Sequence, residues 1–312
     1  MRNYTLFIPF VFCALPSIAS AAITPIDSLS SYDNGTGTGW TGIGYSDPSL
    51  ADPGTDQQTG GQEGDLVGNA TAPFFYTAFD NNDTTGDLRD GTISFRTRHG
   101  GDSNPAGFEG AISIGIDANG DGQIDGFVGV NNSGSADAIH FWNADNGTGS
   151  DNTSISSLKF GTIHTTITEV VNDNYSFRDV VTDDLGAGVS LDIDGDAGAK
   201  ALIDTYLSFS VDFGDLVTFL EESITGETNP APFLTDQSAF RYIVGTSKQG
   251  NNFNQDTGGI DGTTGEGILF SDPNSPISIP YTPTGAVAIP EPSSTALLFG
   301  ATSLLLFRRK RA

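Results

Sequence analysis

Residues 111–130 read AISIGIDANGDGQIDGFVGV and place an Asp-, Asn- and Gly-rich turn between two apolar runs. The flanking runs, Ala111–Ile116 and Phe127–Val130, have the residue types and alternation of β-strands. Gly, Asn and Asp between them favour a tight reversal of the chain. The stretch therefore predicts two neighbouring strands joined by a loop of oxygen-bearing side chains.

The oxygen-bearing residues of this loop recur at alternate positions. They are Asp117, Asn119, Asp121 and Asp125, at relative positions 1, 3, 5 and 9, with the backbone carbonyl of Gln123 at position 7. A hard cation such as Ca²⁺ takes six to eight oxygen ligands at about 2.3–2.6 Å. Gly122 would permit the sharp turn that folds the oxygens inward. We therefore expect Ca²⁺ to bind here.

The loop resembles the D-x-[DN]-x-D-G-x-x-D calcium hairpins that lie between strands of extracellular β-proteins. Its start also resembles an EF-hand or dockerin loop, but the twelfth position is Val128 instead of Glu or Asp. Without a twelfth ligand, the resemblance implies a modest affinity suited to extracellular calcium. The alternative is a turn that reverses the chain and binds no ion.

A second group of alternate aspartates lies further along the chain, at Asp192, Asp194 and Asp196. Residues 197–200 break the pattern where later ligands would stand, and Asp204 could return to the site only through a bulged loop. The group is either a second calcium site or a solvated acidic turn.

The composition of the body favours an all-β fold. Glycine is abundant, with 40 residues, while charged residues are only 17%. Such a chain has many tight turns and enough apolar residues for a core. We predict a single β-sandwich or jelly-roll-like domain over residues 22–270, with one short helix.

Three segments of this domain have clear periodicity. In Thr92–Arg98 apolar and polar residues alternate, which predicts a half-buried strand. In Ala138–Trp142 one face carries Ile139 and Phe141, and the other carries His140 and Trp142. Asp212–Glu222 has the apolar spacing of a helix, with Asp212 as N-cap and Gly226 near its end.

The N-terminus has the pattern of a secretory signal peptide, residues 1–21. Arg2 supplies the positive start, Leu6–Leu15 the apolar region, and Ala19-Ser20-Ala21 an A-x-A cleavage site. Cys13, the one cysteine, lies in the part that would be removed. The mature protein would therefore have no disulfide and no cysteine nucleophile.

The net charge of -26 excludes one class of partner and favours another. An acidic surface repels phosphate backbones, so we expect no binding to nucleic acid. Divalent cations or a saline exterior suit it, although acidity also simply keeps an exported protein soluble.

Enzyme motifs are missing from the sequence. It has no G-x-S-x-G, no phosphate-binding loop before a helix and no H-E-x-x-H, and its three histidines are isolated. Pairs of carboxylates could in principle hydrolyse glycosides. We nevertheless predict a protein without enzymatic activity.

The C-terminal region has four parts in order. A Pro-rich linker, residues 271–289, precedes Pro290-Glu291-Pro292 and an apolar segment, Ser293–Phe307. Arg308, Arg309, Lys310 and Arg311 then form a basic tail within residues 308–312. As a helix the apolar segment is about 22 Å long at ~1.5 Å per residue, shorter than the ~30 Å hydrocarbon core.

About the last two dozen residues resemble the PEP-CTERM sorting signal of Gram-negative bacteria, which is thought to be processed by a membrane-embedded exosortase. The resemblance implies export and a transmembrane segment at 293–307 within a signal at 290–312. It also implies a basic tail retained in the cytoplasm and a transient or permanent anchor in the inner membrane. The final location would be the cell surface or the extracellular space, and the family is associated with exopolysaccharide and biofilm matrix.

Three functions are compatible with these features. The first is a non-enzymatic surface or matrix protein that contacts exopolysaccharide. The second is a carbohydrate-binding module in which Trp40, Trp142 or a nearby Tyr is exposed as a platform for sugar rings. The third is a secreted glycoside hydrolase that uses carboxylates.

Overall fold

A computed structural model gives the fold as two antiparallel β-sheets and one α-helix. It describes residues 39–44, 52, 61–69, 71–81, 87–102, 107–134, 137–144, 160–181, 190–194, 203–248, 253–259 and 277–283. The predicted signal peptide, Asp196 and the predicted sorting signal lie outside the described residues. The all-β character expected from the composition is confirmed.

The first sheet has five strands, and the second has six. In spatial order the first comprises β1 (Thr41–Gly42), β2 (Phe75–Asp80), β3 (Thr92–His99), β9 (Thr205–Asp212) and β8 (Tyr175–Asp179). The second comprises β11 (Asp256–Thr257), β10 (Arg241–Ser247), β4 (Ala111–Asp117), β5 (Gly126–Asn131), β6 (Ala138–Ala144) and β7 (Phe160–Thr168). A 3-10 turn, Gln62–Gly64, precedes β2.

Apolar side chains of both sheets meet in one core, as in a β-sandwich. Phe75 of β2 and Phe95 of β3 contact Tyr242 of β10, with ring centroids 5.6 and 6.3 Å apart. Strands β4 and β5 add Ile and Val side chains from alternate positions. Since alternate residues of a strand point to opposite faces, one face of each sheet lines this shared core.

The outer face of the five-stranded sheet is also covered, which corrects one prediction. Thr92–Arg98 was predicted as half-buried, but every residue of β3 is buried. Trp40 and Tyr206 pack on this face, and the guanidinium carbon of Arg96 lies 4.1 Å from the Trp40 ring centroid and 4.7 Å from that of Tyr206. Stacking on aromatic rings lets the cationic side chain be buried.

The outer face of the six-stranded sheet carries a second apolar cluster. Phe127, Trp142 and Ile243 lie there, packed with Phe253 and Ile277 from outside the sheet. Ile139 and Phe141, by contrast, belong to the core between the sheets. The two faces predicted for Ala138–Trp142 are therefore confirmed.

The single helix among the described residues is α1, Phe213–Thr225. The Asp212 side chain accepts a hydrogen bond from the amide of Asp215, and Gly226 ends the helix in the left-handed conformation with φ 70°. The cap predicted at Asp212 and the termination predicted near Gly226 are confirmed. The helix extends three residues beyond Glu222, the last residue of the predicted range. Its apolar side packs against β5, β6 and β9.

Residues 277–283, inside the predicted linker, pack on the domain. Tyr281 pairs with Phe240 through two backbone hydrogen bonds of 2.8 and 2.9 Å, and Ile277 is fully buried. The amide of Ile279 donates to the carbonyl of Gly44. The folded domain therefore includes chain beyond residue 270.

Within the described ranges, no helix has both the length and the apolar character needed to cross a membrane. The predicted membrane segment, 293–307, is outside those ranges.

Candidate metal centres

The loop between β4 and β5 is closed by its backbone and by two glycines. The amide of Asp125 donates to the carbonyl of Ile116 at 2.8 Å, so the loop begins and ends on one hydrogen bond. Gly120 and Gly122 have φ 77° and 85°, in the region that side chains rarely enter. The turn role predicted for Gly122 is confirmed.

Side-chain oxygens of the loop hold its own backbone. Asp117 accepts the amides of Gly120 at 2.6 Å and Gly122 at 3.1 Å. Asn119 and Asp121 each accept the amide two positions further on, both at 2.8 Å. Asp125 accepts the amide of Ala118 at 2.8 Å. These are local side-chain-to-backbone bonds of the kind that stabilise Asx turns.

An amide group lies between two of the predicted ligands. The Asn119 nitrogen is 3.3 Å from Asp121 Oδ2 and 3.2 Å from Asp125 Oδ1. The carboxylates of Asp117, Asp121 and Asp125 are not among the groups of three whose oxygens lie within 4.8 Å of one another in the described part of the chain. The five residues thus line one loop, and calcium binding by them stays a prediction.

The loop places a buried carboxylate, that of Asp117, beside the half-buried Asp125 and the exposed Asp121. Burial raises the pKa of Asp117, and burial together with the charges of Asp117 and Asp121 raises the pKa of Asp125 to about 7. Arg241 supplies a cation beside Asp117, with its Nη1 4.0 Å from Asp117 Oδ2. A positive ion in this loop would relieve the repulsion.

The second aspartate group includes Asp204, the residue that the sequence could bring there only through a bulged loop. One carboxylate oxygen each of Asp192, Asp194 and Asp204 lie within 4.8 Å of one another. The predicted third residue, Asp196, is outside the described residues. Asp204 reaches the group because its amide donates to the carbonyl of Leu191 at 3.0 Å, which draws the segment before β9 against residues 190–194.

Asp204 is the buried member of this group. Its Oδ2 is 2.6 Å from Arg98 Nε, and neither side chain is exposed to solvent. The amide of Ile193 also donates to Oδ2, at 3.1 Å. Burial raises the pKa of Asp204 to about 6, although Arg98 opposes the shift. Asp192 and Asp194 are half-buried.

The two tryptophans are packed inside the protein. Trp40 is 1% exposed and Trp142 is 2% exposed, so neither presents a face to a sugar ring. The expectation that Trp40 and Phe74-Phe75-Tyr76 pack on the sheet is confirmed, since all four are buried. The alternative that used Trp40 or Trp142 as an exposed platform is wrong for these residues.

The three isolated histidines lie outside the group Asp192, Asp194 and Asp204. His99 is fully buried, and burial lowers its pKa to about 4, so it is neutral at pH 7. Burial also lowers the pKa of His140, which contacts Thr166. His164 Nε2 lies 3.1 Å from Glu222 Oε2 at the surface of α1.

No protein-family model matches this chain, and no curated protein or solved structure is similar to it. Function has to be argued from the residues themselves.

Proposed function

We propose that this protein is an exported, non-enzymatic component of the cell surface or extracellular matrix. The observation that carries the proposal is the order of the C-terminal parts, with Pro290-Glu291-Pro292, then an apolar segment, then Arg308–Arg311. This order resembles the PEP-CTERM signal, and the A-x-A site at Ala19-Ser20-Ala21 supports export.

The proposed route has two membrane steps. The signal peptide directs the chain across the inner membrane, and the apolar segment 293–307 holds it there with the basic tail inside. An exosortase-type enzyme is the proposed partner that releases or transfers the domain, or the segment stays as an anchor. The cargo is a β-sandwich, proposed to be jelly-roll-like, that contacts exopolysaccharide.

Calcium in the loop 117–125 is part of the proposal. The supporting facts are the buried carboxylate of Asp117 and the further carboxylates of Asp121 and Asp125 in the same loop, although Arg241 already lies 4.0 Å from Asp117. Asp117, Asn119, Asp121, Asp125 and the carbonyl of Gln123 are the proposed ligands. An outward shift of the Asn119 amide would free the two carboxylates it bridges.

Intact-mass measurement of the secreted protein tests the sorting proposal. We expect a mature C-terminus near Pro290 and a mature N-terminus at residue 22. Replacing Glu291 and Pro292 with Ala should block processing, while Pro283→Ala, a proline outside the motif, should not. A secreted protein that still ends in Arg308–Arg311 would refute processing.

A calcium titration tests the loop. Chelator-treated wild type should melt at a temperature several degrees lower than the calcium-loaded protein. Asp121→Asn, which keeps the hydrogen bond to the Gln123 amide in reach, should lose the shift that belongs to this loop. Turnover on polysaccharides by the purified protein would overturn the non-enzymatic assignment.

A further inference from the structure

We propose that Asp192, Asp194 and Asp204 form a divalent-cation site of the calcium type, separate from the loop 117–125. It goes beyond the proposed function, and it adds Asp204, the residue before β9, to two members of the predicted group.

The spacing of the three carboxylates fits one ion. Their nearest oxygens lie within 4.8 Å of one another. Two oxygens on opposite sides of a calcium ion, each at about 2.4 Å, are about 4.8 Å apart. Three carboxylates can supply three to six oxygens, and waters or backbone carbonyls complete a shell of six to eight. The geometry therefore permits all three side chains to contact one ion.

An orphaned buried oxygen points independently to a ligand. Asp204 Oδ2 is used by Arg98 and by the amide of Ile193, but Asp204 Oδ1 is buried and has no hydrogen-bond partner among the described residues. Leaving a buried carboxylate oxygen unpaired is costly, because the lost hydration is not replaced. A cation held with Asp192 and Asp194 would supply the missing partner.

The contacts of Asp204 leave one of its oxygens for an ion. The Arg98 guanidinium is fixed by Asp204 Oδ2 and by a 2.8 Å bond to the carbonyl of Ser190. Arg98 and the Ile193 amide both bind Oδ2, so Oδ1 is the oxygen of Asp204 that a cation would take. The negative charge of the carboxylates attracts a divalent cation.

A fourth carboxylate stands beside the group. A side chain at Gly100 would bring its Cβ to 2.8 Å from Asp194 Oδ2 and 3.4 Å from Asp65 Oδ2. Glycine at this position therefore leaves space for two carboxylates at the end of β3.

The site joins separate segments and remains open to solvent. Asp192 and Asp194 are half-buried, so an ion can enter from their side. Asp204 precedes β9, and Arg98 belongs to β3. Leu191, next to Asp192, packs against the cluster that contains Trp40 and Tyr206. An ion at this position would fasten residues 190–194 to the outer face of the five-stranded sheet.

Calcium binding to the purified full chain, stripped with chelator and followed by titration calorimetry, tests the site. The variants are Asp194→Asn, Asp121→Asn and the double variant, with Asp173→Asn as an exposed control of equal charge. Asp121→Asn should still bind one ion, at the site of Asp194. The double variant should bind that ion about tenfold more weakly or not at all. Asp173→Asn should bind as wild type does.

The outcomes separate the two sites. If Asp194→Asn binds the same number of ions as wild type with the same affinity, the inference is overturned and the loop is untouched. If Asp121→Asn instead binds the same number of ions as wild type with the same affinity, the proposal for the loop 117–125 fails and the proposal for this site stands. Titration with magnesium compares the binding of this smaller cation with that of calcium. Equal binding of the two cations would still support a divalent-cation site.

Thermal melts distinguish an ion site from a purely structural cluster. In the Asp121→Asn background, calcium should raise the melting temperature, and adding Asp194→Asn should abolish that rise without lowering the melting temperature of the calcium-free protein. A lower melting temperature with and without calcium would contradict the inference. Asp192→Asn serves in the same way if Asp194→Asn does not fold, whereas Asp204→Asn is avoided because it would also break the Arg98 pair.

Discussion

Arg89 and Glu221 lie 132 positions apart in the chain and form an ion pair. One nitrogen of Arg89, Nη1, contacts both carboxylate oxygens, Oε1 at 2.7 Å and Oε2 at 2.9 Å. The same carboxylate accepts the amides of Phe233 and Leu234, each at 2.6 Å. Arg89 Nη2 also donates to Thr218 Oγ1 of α1. One buried carboxylate thus joins the segment before β3, the helix and the segment after it.

Glu221→Gln should destabilise the protein substantially. The amide keeps the shape of the side chain but removes the charge that Arg89 and two backbone amides are arranged around. Removing one partner of a buried, hydrogen-bonded ion pair costs about 3–5 kcal/mol, and less here because Arg89 is partly exposed. Urea unfolding should show a loss of about 2–4 kcal/mol. Glu227→Gln, an exposed neighbour, should stay within about 0.5 kcal/mol of wild type.

The contribution of Glu221 to the free energy of unfolding should decrease as the pH falls into the acid range. Burial alone would raise its pKa, but the hydrogen bonds from Arg89 and from the amides of Leu234 and Phe233 hold the pKa below its ordinary value of 4.5. A lowered folded pKa gives stability that is present above pH 4.5 and lost as pH falls through the folded pKa. The stability difference between wild type and Glu221→Gln should therefore be constant near neutrality and narrow in acid. A difference that widens on acidification would contradict this account.

Glu169→Gln should have the opposite effect. Burial, with a contribution from the charge of Asp137, raises the pKa of Glu169 to about 7, although Asn132 donates to its carboxylate. Because the folded pKa lies above the ordinary value of 4.5, the ionised form opposes folding as pH rises from 4.5 toward 7. The variant should melt a few degrees higher than wild type above neutrality and at the same temperature in acid. Glu109→Gln, at an exposed position, should show no such pH-dependent gain.

Gly126→Ala should loosen the contact between α1 and β5. A Cβ at Gly126 would lie 2.5 Å from Phe219 Cε1 and 3.3 Å from Leu220 Cδ2, so the Phe219 ring or the helix that carries it must shift. Overpacking of a core contact costs about 1–3 kcal/mol. Gly134→Ala is the matched control, since nothing lies within 4 Å of its Cβ position. Chemical denaturation of both variants should separate them, and equal stabilities would disprove the close approach.

Short sequence patterns predict strands, helices and turns because these elements depend on residues that are close together in the sequence. Strand β6 follows from alternation of side chains along a few residues, and α1 follows from its apolar spacing, the Asp212 cap and Gly226. The loop 117–125 was predicted from alternate oxygens and Gly122, and its folded backbone has the expected reversal.

Burial of the charges on β3 could not be predicted from the strand itself. Arg96 is covered by Trp40 and Tyr206, and Arg98 is neutralised by Asp204, all of which are distant in sequence. The antiparallel pairing of β3 with β9 brings Tyr206 and Asp204 to these residues, whereas Trp40 comes from the segment before β1. The alternation within Thr92–Arg98 carries no information about what covers its outer face.

The same limit applies to the second aspartate group. Alternate spacing identifies Asp192 and Asp194, but it could place Asp204 beside them only through a bulged loop. The structure brings in Asp204, ten residues beyond Asp194, through the hydrogen bond to Leu191. Likewise the prolines near residues 276–283 predicted an extended backbone, but not that Tyr281 would pair with Phe240.

The way Tyr281 is held has a mechanical consequence. Its backbone is bonded to Phe240, its hydroxyl accepts the amide of Gly44, and Ile279 donates back to the Gly44 carbonyl. A pulling force that acts on residues 277–283 would therefore be transmitted both to the residue before β10 and to the segment that follows β1. Residues 277–283 cannot leave the domain without breaking hydrogen bonds at both places.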